Sequence, residues 1–138
     1  MIKNFDMFEA KKIKVLYSAV VLDEKSKSKL LEKFDKDVPD GWKKFAHHMT
    51  IIFNNGLDSL GLENDLGKEV NLTVTHLGKS DMAIAIKVEG YKTVNKTPHI
   101  TLAINVLEGG KPQMSNEITD WQEVEPMILT GTVTEIKR

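Results

Sequence analysis

The sequence predicts an α+β fold with a mostly antiparallel sheet and helices on its outer side. Three observations lead to this class: several segments are rich in β-branched residues, one segment has the periodicity of an amphipathic helix, and turns with glycine or proline separate them. At 138 residues, the chain is long enough to bury a substantial core. We therefore expect one domain that spans residues 1–138.

The first half of the chain predicts the order strand, helix, strand. Residues 14–22 are almost uncharged and rich in β-branched side chains, which is typical of a central strand. Residues 26–36 place leucines and a phenylalanine on one face, which predicts an amphipathic helix capped by Asp23. A proline and a glycine end this helix, and residues 47–53 form the second strand. Before the first strand, residues 1–12 favour a short docked helix or a turn.

The second half of the chain predicts four more strands, at residues 70–77, 82–88, 99–105 and 128–136. The first two of these are joined by a tight turn and therefore predict a hairpin. A polar loop precedes the third strand, and Ser115 is expected to cap a short helix that continues to Trp121. The sequence thus predicts six strands and two or three helices.

The composition excludes several classes of function. The chain has 19 basic and 20 acidic residues, a balance that excludes binding of long nucleic acids by bulk charge but allows a small phosphate site. It has no cysteine, so disulfides, thiolate metal sites and a thiol nucleophile are excluded. There is no apolar run of roughly 18 residues and no apolar signal segment at the start. We expect a cytoplasmic protein with no membrane partner.

Two of the four histidines lie in matching segments of the form His-x-Thr. These segments are His48-Met49-Thr50-Ile51 and His99-Ile100-Thr101-Leu102, and both fall inside predicted strands. Residues i and i+2 of a strand share a face, so each histidine shares a face with its threonine while the residue between them points to the core. If the two strands are neighbours, two imidazoles and two hydroxyls converge on one cleft.

Such a set of side chains suits a phosphodiester substrate. One imidazole takes a proton from the attacking hydroxyl or water and the other protonates the leaving oxygen, since histidine titrates near neutral pH. The threonine hydroxyls donate to the non-bridging phosphate oxygens, where negative charge grows. No metal and no other cofactor is required. One His-x-Thr segment would be weak evidence, because most strand histidines are structural, but two matching copies favour a functional pair.

The paired segments resemble the signature of the 2H phosphoesterase superfamily. That superfamily includes the LigT proteins, the cyclic phosphodiesterases of tRNA splicing, and phage nucleases that destroy cyclic-oligonucleotide defence signals. The resemblance covers roughly residues 14–136 and implies a bilobal antiparallel sheet with phosphate bound between the lobes. It implies catalytic roles for His48, Thr50, His99 and Thr101. The two histidines are 51 positions apart, closer than the family usually shows, so the second lobe is expected to lack a helix.

Four further residues are candidate substrate contacts, namely Tyr17, Trp42, Lys111 and Trp121. Tyr17 either belongs to the core or reaches the floor of the cleft. Lys111 follows two glycines, in a loop that is either a plain connection or a flap that meets a phosphate. Each tryptophan is either an anchor in the core or rim, or a platform on which a base stacks.

The other two histidines are expected to have no catalytic role. His47 is one position before His48, so strand alternation should turn it to the opposite face, where a structural role is expected. His76 ends an alternating strand and is expected to be exposed or hydrogen-bonded. Neither one has acidic partners at the spacing of a zinc site.

The sequence therefore predicts a metal-independent phosphodiesterase that acts on a nucleotide or a short oligonucleotide. Its substrate is either an RNA end with a 2',3'-cyclic phosphate or a small cyclic oligonucleotide signal, and the sequence does not choose between them. The alternative function is a non-catalytic module that binds a nucleotide or an RNA end with the same fold. A third hypothesis, an interaction protein with accidental motifs, requires His48 and His99 to lie apart.

Overall fold

A computed structural model describes residues 14–137 of the chain. The predicted helix or turn in residues 1–12 lies outside these described residues. Within them are seven strands, one α-helix and five short 3₁₀ turns. The elements are β1 (Val15–Leu22), α1 (Glu24–Lys33), β2 (Lys43–Lys44), β3 (His48–Phe53), β4 (Glu69–Lys79), β5 (Ala83–Glu89), β6 (His99–Ile104) and β7 (Asp120–Lys137).

The strands form one mostly antiparallel sheet, which agrees with the predicted α+β class. Their order is β2-β6-β3-β1-β7-β4-β5, and an additional pairing joins β5 to β6. This pairing closes the sheet on itself, so the strands make one continuous layer. Strand β5 occupies one edge of β6. The short strand β2 and strand β3 both lie along the other edge, where Lys44 pairs with Ala103 and Met49 pairs with Ile100.

The core lies inside the closed sheet and under α1. The largest side chains of this core with almost no solvent exposure come from α1, from one 3₁₀ turn and from every strand except β2; they are Val20, Leu30, Met49, Ile51, Leu57, Leu72, Val74, Ile86, Ile100, Leu102 and Leu129. Most of them are aliphatic residues at alternate strand positions, as half-buried antiparallel strands require.

The predicted helix is confirmed, with slightly different bounds. It begins at Glu24 because the carboxylate of Asp23 accepts a hydrogen bond from the backbone N–H of Ser26 at 2.7 Å, which is the cap that the sequence predicts. The helix lies against β7, where the ammonium of Lys29 donates to the carbonyl of Ile128 at 3.0 Å. Among residues 14–137, no helix is long and apolar enough to cross a membrane.

Strand β7 is the main departure from the predicted secondary structure. The helix predicted from Ser115 to Trp121 is wrong: Pro112–Glu117 is a 3₁₀ turn, and β7 already begins at Asp120. Ser115 does not cap a helix but lies inside this turn, almost fully buried. The strand predicted at residues 128–136 is therefore only the second half of a strand of 18 residues.

Pro126 explains why the full length of β7 is not predicted from the sequence. A proline lacks the N–H that a ladder requires, so it interrupts the pattern of a central strand. In the structure, Pro126 lies where the register between β4 and β7 shifts, from the pair Val74–Met127 to the pair His76–Glu123. An irregularity of this kind leaves residues outside the ladder, so the proline disrupts no regular pairing.

Candidate active site

The two His-x-Thr segments meet at one buried pair of residues. Met49 on β3 pairs with Ile100 on β6 in an antiparallel register, and neither side chain is exposed to solvent. Residues on either side of this pair point to the opposite face of the sheet. The four residues that flank this pair, His48, Thr50, His99 and Thr101, therefore lie on the face opposite to the core.

This face of the sheet forms the floor of a cavity of about 720 Å³. Its lining contains both histidines and both threonines of the two motifs. The complete lining is Tyr17, Phe45, His47, His48, Thr50, Phe53, Asn95, His99, Thr101, Pro112, Gln113 and Asn116. The structure therefore brings together all four side chains on which the phosphodiester hypothesis depends.

The cavity has no fixed formal charge. Among the residues that line it there is no Asp, Glu, Lys or Arg, and its titratable groups are three histidines and Tyr17. Over residues 14–137, no group of three or more His, Cys, Asp or Glu side chains is arranged to hold a metal ion. Positive charge that faces a bound phosphate from the lining must therefore come from a protonated imidazole.

His99 is held by a backbone carbonyl. Its Nδ1 lies 2.8 Å from the carbonyl oxygen of Thr97. A carbonyl oxygen only accepts hydrogen bonds, so Nδ1 of His99 must carry a hydrogen and donate it. This bond fixes the orientation of the ring and leaves Nε2 as the nitrogen that can meet a ligand.

His48 is held by two other rings. Its imidazole stacks on the phenol of Tyr17, with ring centroids 4.8 Å apart and an angle of 27° between the planes. On its edge, Nδ1 lies 2.9 Å from Nδ1 of His47. Burial, followed by electrostatic repulsion from His47 and His99, lowers the pKa of His48 from 6.5 to about 4. His48 is therefore neutral near pH 7 and has a lone pair available for a proton.

His47 does not lie where the sequence predicts. The expectation that it faces away from His48 is wrong, because His47 lines the same cavity. Strand alternation applies only from His48, where β3 begins. The residue before the pair, Ala46, has a left-handed backbone with φ of 52°, and this turn brings both imidazoles to the same side. His76, by contrast, is half-buried outside the cavity, with Nδ1 2.9 Å from the hydroxyl of Thr75.

The two threonines are supported by different neighbours. The hydroxyl of Thr101 lies 2.8 Å from that of Ser115, which is only 1% exposed. Since the turn that contains Ser115 also supplies cavity residues, this contact joins β6 to the cavity wall. At the other motif, the hydroxyl of Thr93 donates to the carbonyl of Thr50 at 2.7 Å. That bond holds the loop between β5 and β6 against β3.

The four candidate substrate contacts have different positions. Tyr17 lines the cavity, and Lys111 is exposed outside it. Trp42 packs against the main core. Trp121 packs against a second cluster of buried residues and donates its indole N–H to the carbonyl of Ile118 at 3.1 Å. Neither tryptophan lines the cavity, so neither one provides a platform for a base there.

Six residues of the cavity wall were not predicted from the sequence: Phe45, Phe53, Asn95, Pro112, Gln113 and Asn116. Phe53 was missed because alternation from His48 should place it on the core face. The pairs Ala19–Thr50 and Ser18–Ile52 leave Ile51 as an extra residue on β3, so the alternation reverses after Thr50. Only Asn95 could have been indicated by a local signal, namely its place as a polar residue in the loop just before the second motif. Pro112, Gln113 and Asn116 lie in the loop of Lys111, so this loop lines the cavity with residues that follow the lysine.

A scan against models of protein families found no match, and a search of curated proteins found no similar sequence. The function of the chain is therefore inferred from its cavity and its two motifs.

Proposed function

We propose that this protein is a metal-independent phosphodiesterase of the 2H phosphoesterase type. The observation that carries the proposal is the convergence of His48, Thr50, His99 and Thr101 on one cavity without fixed charge. Two imidazoles can divide the roles of base and acid between them, which is the requirement of a phosphodiester hydrolysis without a metal ion.

In this proposal His48 is the general base and His99 is the general acid. The low pKa of His48, about 4, keeps its imidazole neutral near pH 7. His99 donates from Nδ1 to Thr97, so its protonated form presents Nε2–H to the leaving oxygen. A water molecule forms the new P–O bond and gives its proton to His48. The P–O bond to the ribose oxygen breaks, and that oxygen takes the proton of His99.

After this step His48 carries an additional proton and His99 has lost one, and exchange with water restores both. The hydroxyls of Thr50 and Thr101 donate to the non-bridging oxygens as negative charge grows there. The contact between Thr101 and Ser115 supports this role. When the hydroxyl of Ser115 donates to the oxygen of Thr101, the hydroxyl hydrogen of Thr101 remains free to donate to the phosphate.

The cavity supports a nucleotide as the substrate class. Its volume of about 720 Å³ lies within the usual range for small-molecule sites. Three aromatic rings line it, those of Tyr17, Phe45 and Phe53, and Phe53 is 65% exposed at its edge. Exposed rings of this kind provide stacking surfaces for bases. We propose that the substrate is an RNA end with a 2',3'-cyclic phosphate or a cyclic oligonucleotide signal, in a cytoplasmic setting.

An incubation panel tests the proposal. Purified protein with EDTA is given 2',3'-cyclic nucleotides, cyclic dinucleotides and 2',5'-linked oligoadenylate, and the products are separated by chromatography. We expect cleavage of at least one class by the wild type and by His76→Ala, whose side chain lies outside the cavity. A strict requirement for added Mg²⁺ or Mn²⁺ would contradict the proposed mechanism. Binding without turnover would contradict the enzyme hypothesis and favour the alternative, a non-catalytic module that binds a nucleotide.

A further inference from the structure

The two histidines of the motifs differ in what holds their Nδ1 atoms. His99 faces a carbonyl, so the position of its Nδ1 hydrogen is fixed. His48 faces Nδ1 of His47 at 2.9 Å, and an imidazole nitrogen can either donate or accept. One hydrogen lies between these two nitrogens, and the ring that carries it determines which form of His48 faces the cavity.

We propose that His47 is a positioning residue that keeps His48 in the form of a base. This inference rests on the proposed function. A base at Nε2 of His48 needs a free lone pair there, so the hydrogen of a neutral His48 must be on Nδ1. That hydrogen is donated to Nδ1 of His47, whose own hydrogen is then on Nε2.

The same hydrogen bond favours the transfer step. When Nε2 of His48 takes the proton of the attacking water, the ring becomes an imidazolium and its Nδ1–H remains directed at His47. A hydrogen bond from a charged donor is roughly twice as strong as a neutral one, so a neutral His47 that accepts this bond offsets part of the burial that disfavours the charged form of His48. In the opposite arrangement, with His47 as the donor, Nε2 of His48 carries a hydrogen and cannot act as the base.

The backbone at this position is arranged to hold His47 beside His48. Ala46 has a left-handed backbone, which is unfavourable for a residue with a side chain and persists only where its surroundings enforce it. Its surroundings do so: Ala46 is fully buried and its N–H donates to the carbonyl of Thr101 at 2.9 Å. The carbonyl of His47 accepts from the N–H of Leu22 at 2.9 Å. The backbone on both sides of the turn is therefore fixed by neighbouring strands.

Two substitutions at His47 separate hydrogen bonding from simple packing. His47→Asn keeps an amide oxygen near the position of Nδ1 as an acceptor, whereas His47→Leu provides none. Because His47 is exposed, both variants should fold, and circular dichroism checks this. With 2',3'-cyclic AMP and the members of the panel as substrates, we expect His47→Leu to lower kcat by roughly 10- to 100-fold, as loss of an orienting partner does. We expect His47→Asn to restore most of that loss.

Nitrogen-15 NMR of the imidazoles in the substrate-free wild type provides a second readout that does not depend on activity. We expect Nδ1 of His48 to carry a hydrogen and Nδ1 of His47 to carry none. Full activity of His47→Leu would overturn the role of His47 and leave the proposed phosphodiesterase intact, whereas the reverse assignment would overturn both the role of His47 and the choice of His48 as the base. Absence of cleavage of every substrate by the wild type would overturn the proposed function, while NMR would still decide the direction of the hydrogen bond.

Discussion

The phenol ring of Tyr17 stacks on the imidazole of His48, with centroids 4.8 Å apart. This contact covers one face of the imidazole, and burial is the largest cause that lowers the pKa of His48 to about 4. An exposed histidine has a pKa near 6.5 and would be partly protonated under the same conditions. Strand β1 thus contributes to the proposed base although it carries neither motif.

The first prediction concerns this contact. Tyr17→Ala should admit water to the ring of His48 and raise its pKa from about 4 towards 6.5, because the charged form becomes solvated. Tyr17→Phe keeps the ring and should leave the pKa close to that of the wild type. Both values can be measured by NMR titration of the imidazole. An unchanged pKa in Tyr17→Ala would show that other parts of the cavity wall bury His48.

The second prediction concerns the pH dependence of kcat/KM. His48 must be neutral to accept a proton, so activity should rise as the pH increases through the pKa of about 4. This rising limb should persist in the presence of EDTA, because the proposed mechanism uses no metal ion. A rising limb near 6.5 would contradict the assignment of His48 as the buried base.

The third prediction concerns stability. The pKa of His48 is lower in the folded protein, so between about pH 4 and 6.5 the unfolded chain binds more protons and the free energy of unfolding rises with pH. The full difference corresponds to at most roughly 3 to 4 kcal/mol. Urea denaturation at pH 4.5 and pH 7 should show this rise in the wild type and a smaller rise in His48→Gln. Equal rises in the two proteins would mean that the pKa of His48 is not lowered by folding.

The fourth prediction concerns the two motif histidines. His48→Ala and His99→Ala should each lower the rate by roughly 10²–10⁴-fold, as loss of a positioned base or acid does. The double variant should be little worse than either single variant, because the two groups act in one concerted transfer. Single-turnover kinetics measures these rates, and His76→Ala is the matched control. Additive losses in the double variant would indicate that the histidines act in separate steps.

The sequence was sufficient to predict the strands that carry the motifs, because their signal is local. In both motifs the residue between histidine and threonine is apolar, and those two residues, Met49 and Ile100, are fully buried against each other. The helix cap at Asp23 was predicted for the same reason, since the capping bond spans only three residues. A pattern within a few residues predicts which face of an element is buried.

The features that the sequence did not predict depend on contacts with distant residues. The side of the sheet on which His47 lies depends on the left-handed Ala46, which is held by a hydrogen bond to Thr101. The position of Phe53 depends on the extra residue in β3 opposite β1. The length of β7 depends on an irregular pairing with β4 at Pro126. None of these partners is near in the sequence, so no local pattern indicates them.

The last prediction concerns the hydroxyl pair of Thr101 and Ser115. Thr101→Val removes the proposed phosphate donor and should lower kcat by up to about 10²–10³-fold, with Thr101→Ser as the variant that retains the hydroxyl and most of the activity. Ser115→Ala leaves the hydroxyl of Thr101 in place but removes the group that orients it, at 2.8 Å. A net hydrogen bond contributes about 1 kcal/mol, so this change should cost no more than about tenfold in rate.

Thermal denaturation of the same variants distinguishes this positioning role from a structural one. Ser115 is buried, whereas Thr101 is only partly so, and water can therefore hydrate the hydroxyl of Thr101 once Ser115 is replaced. The free energy of unfolding of Ser115→Ala should fall by about 1 kcal/mol, and its loss of activity should persist at temperatures where the variant is fully folded. If Ser115→Ala were as inactive as Thr101→Val in a folded protein, Ser115 itself would be the group that contacts the phosphate.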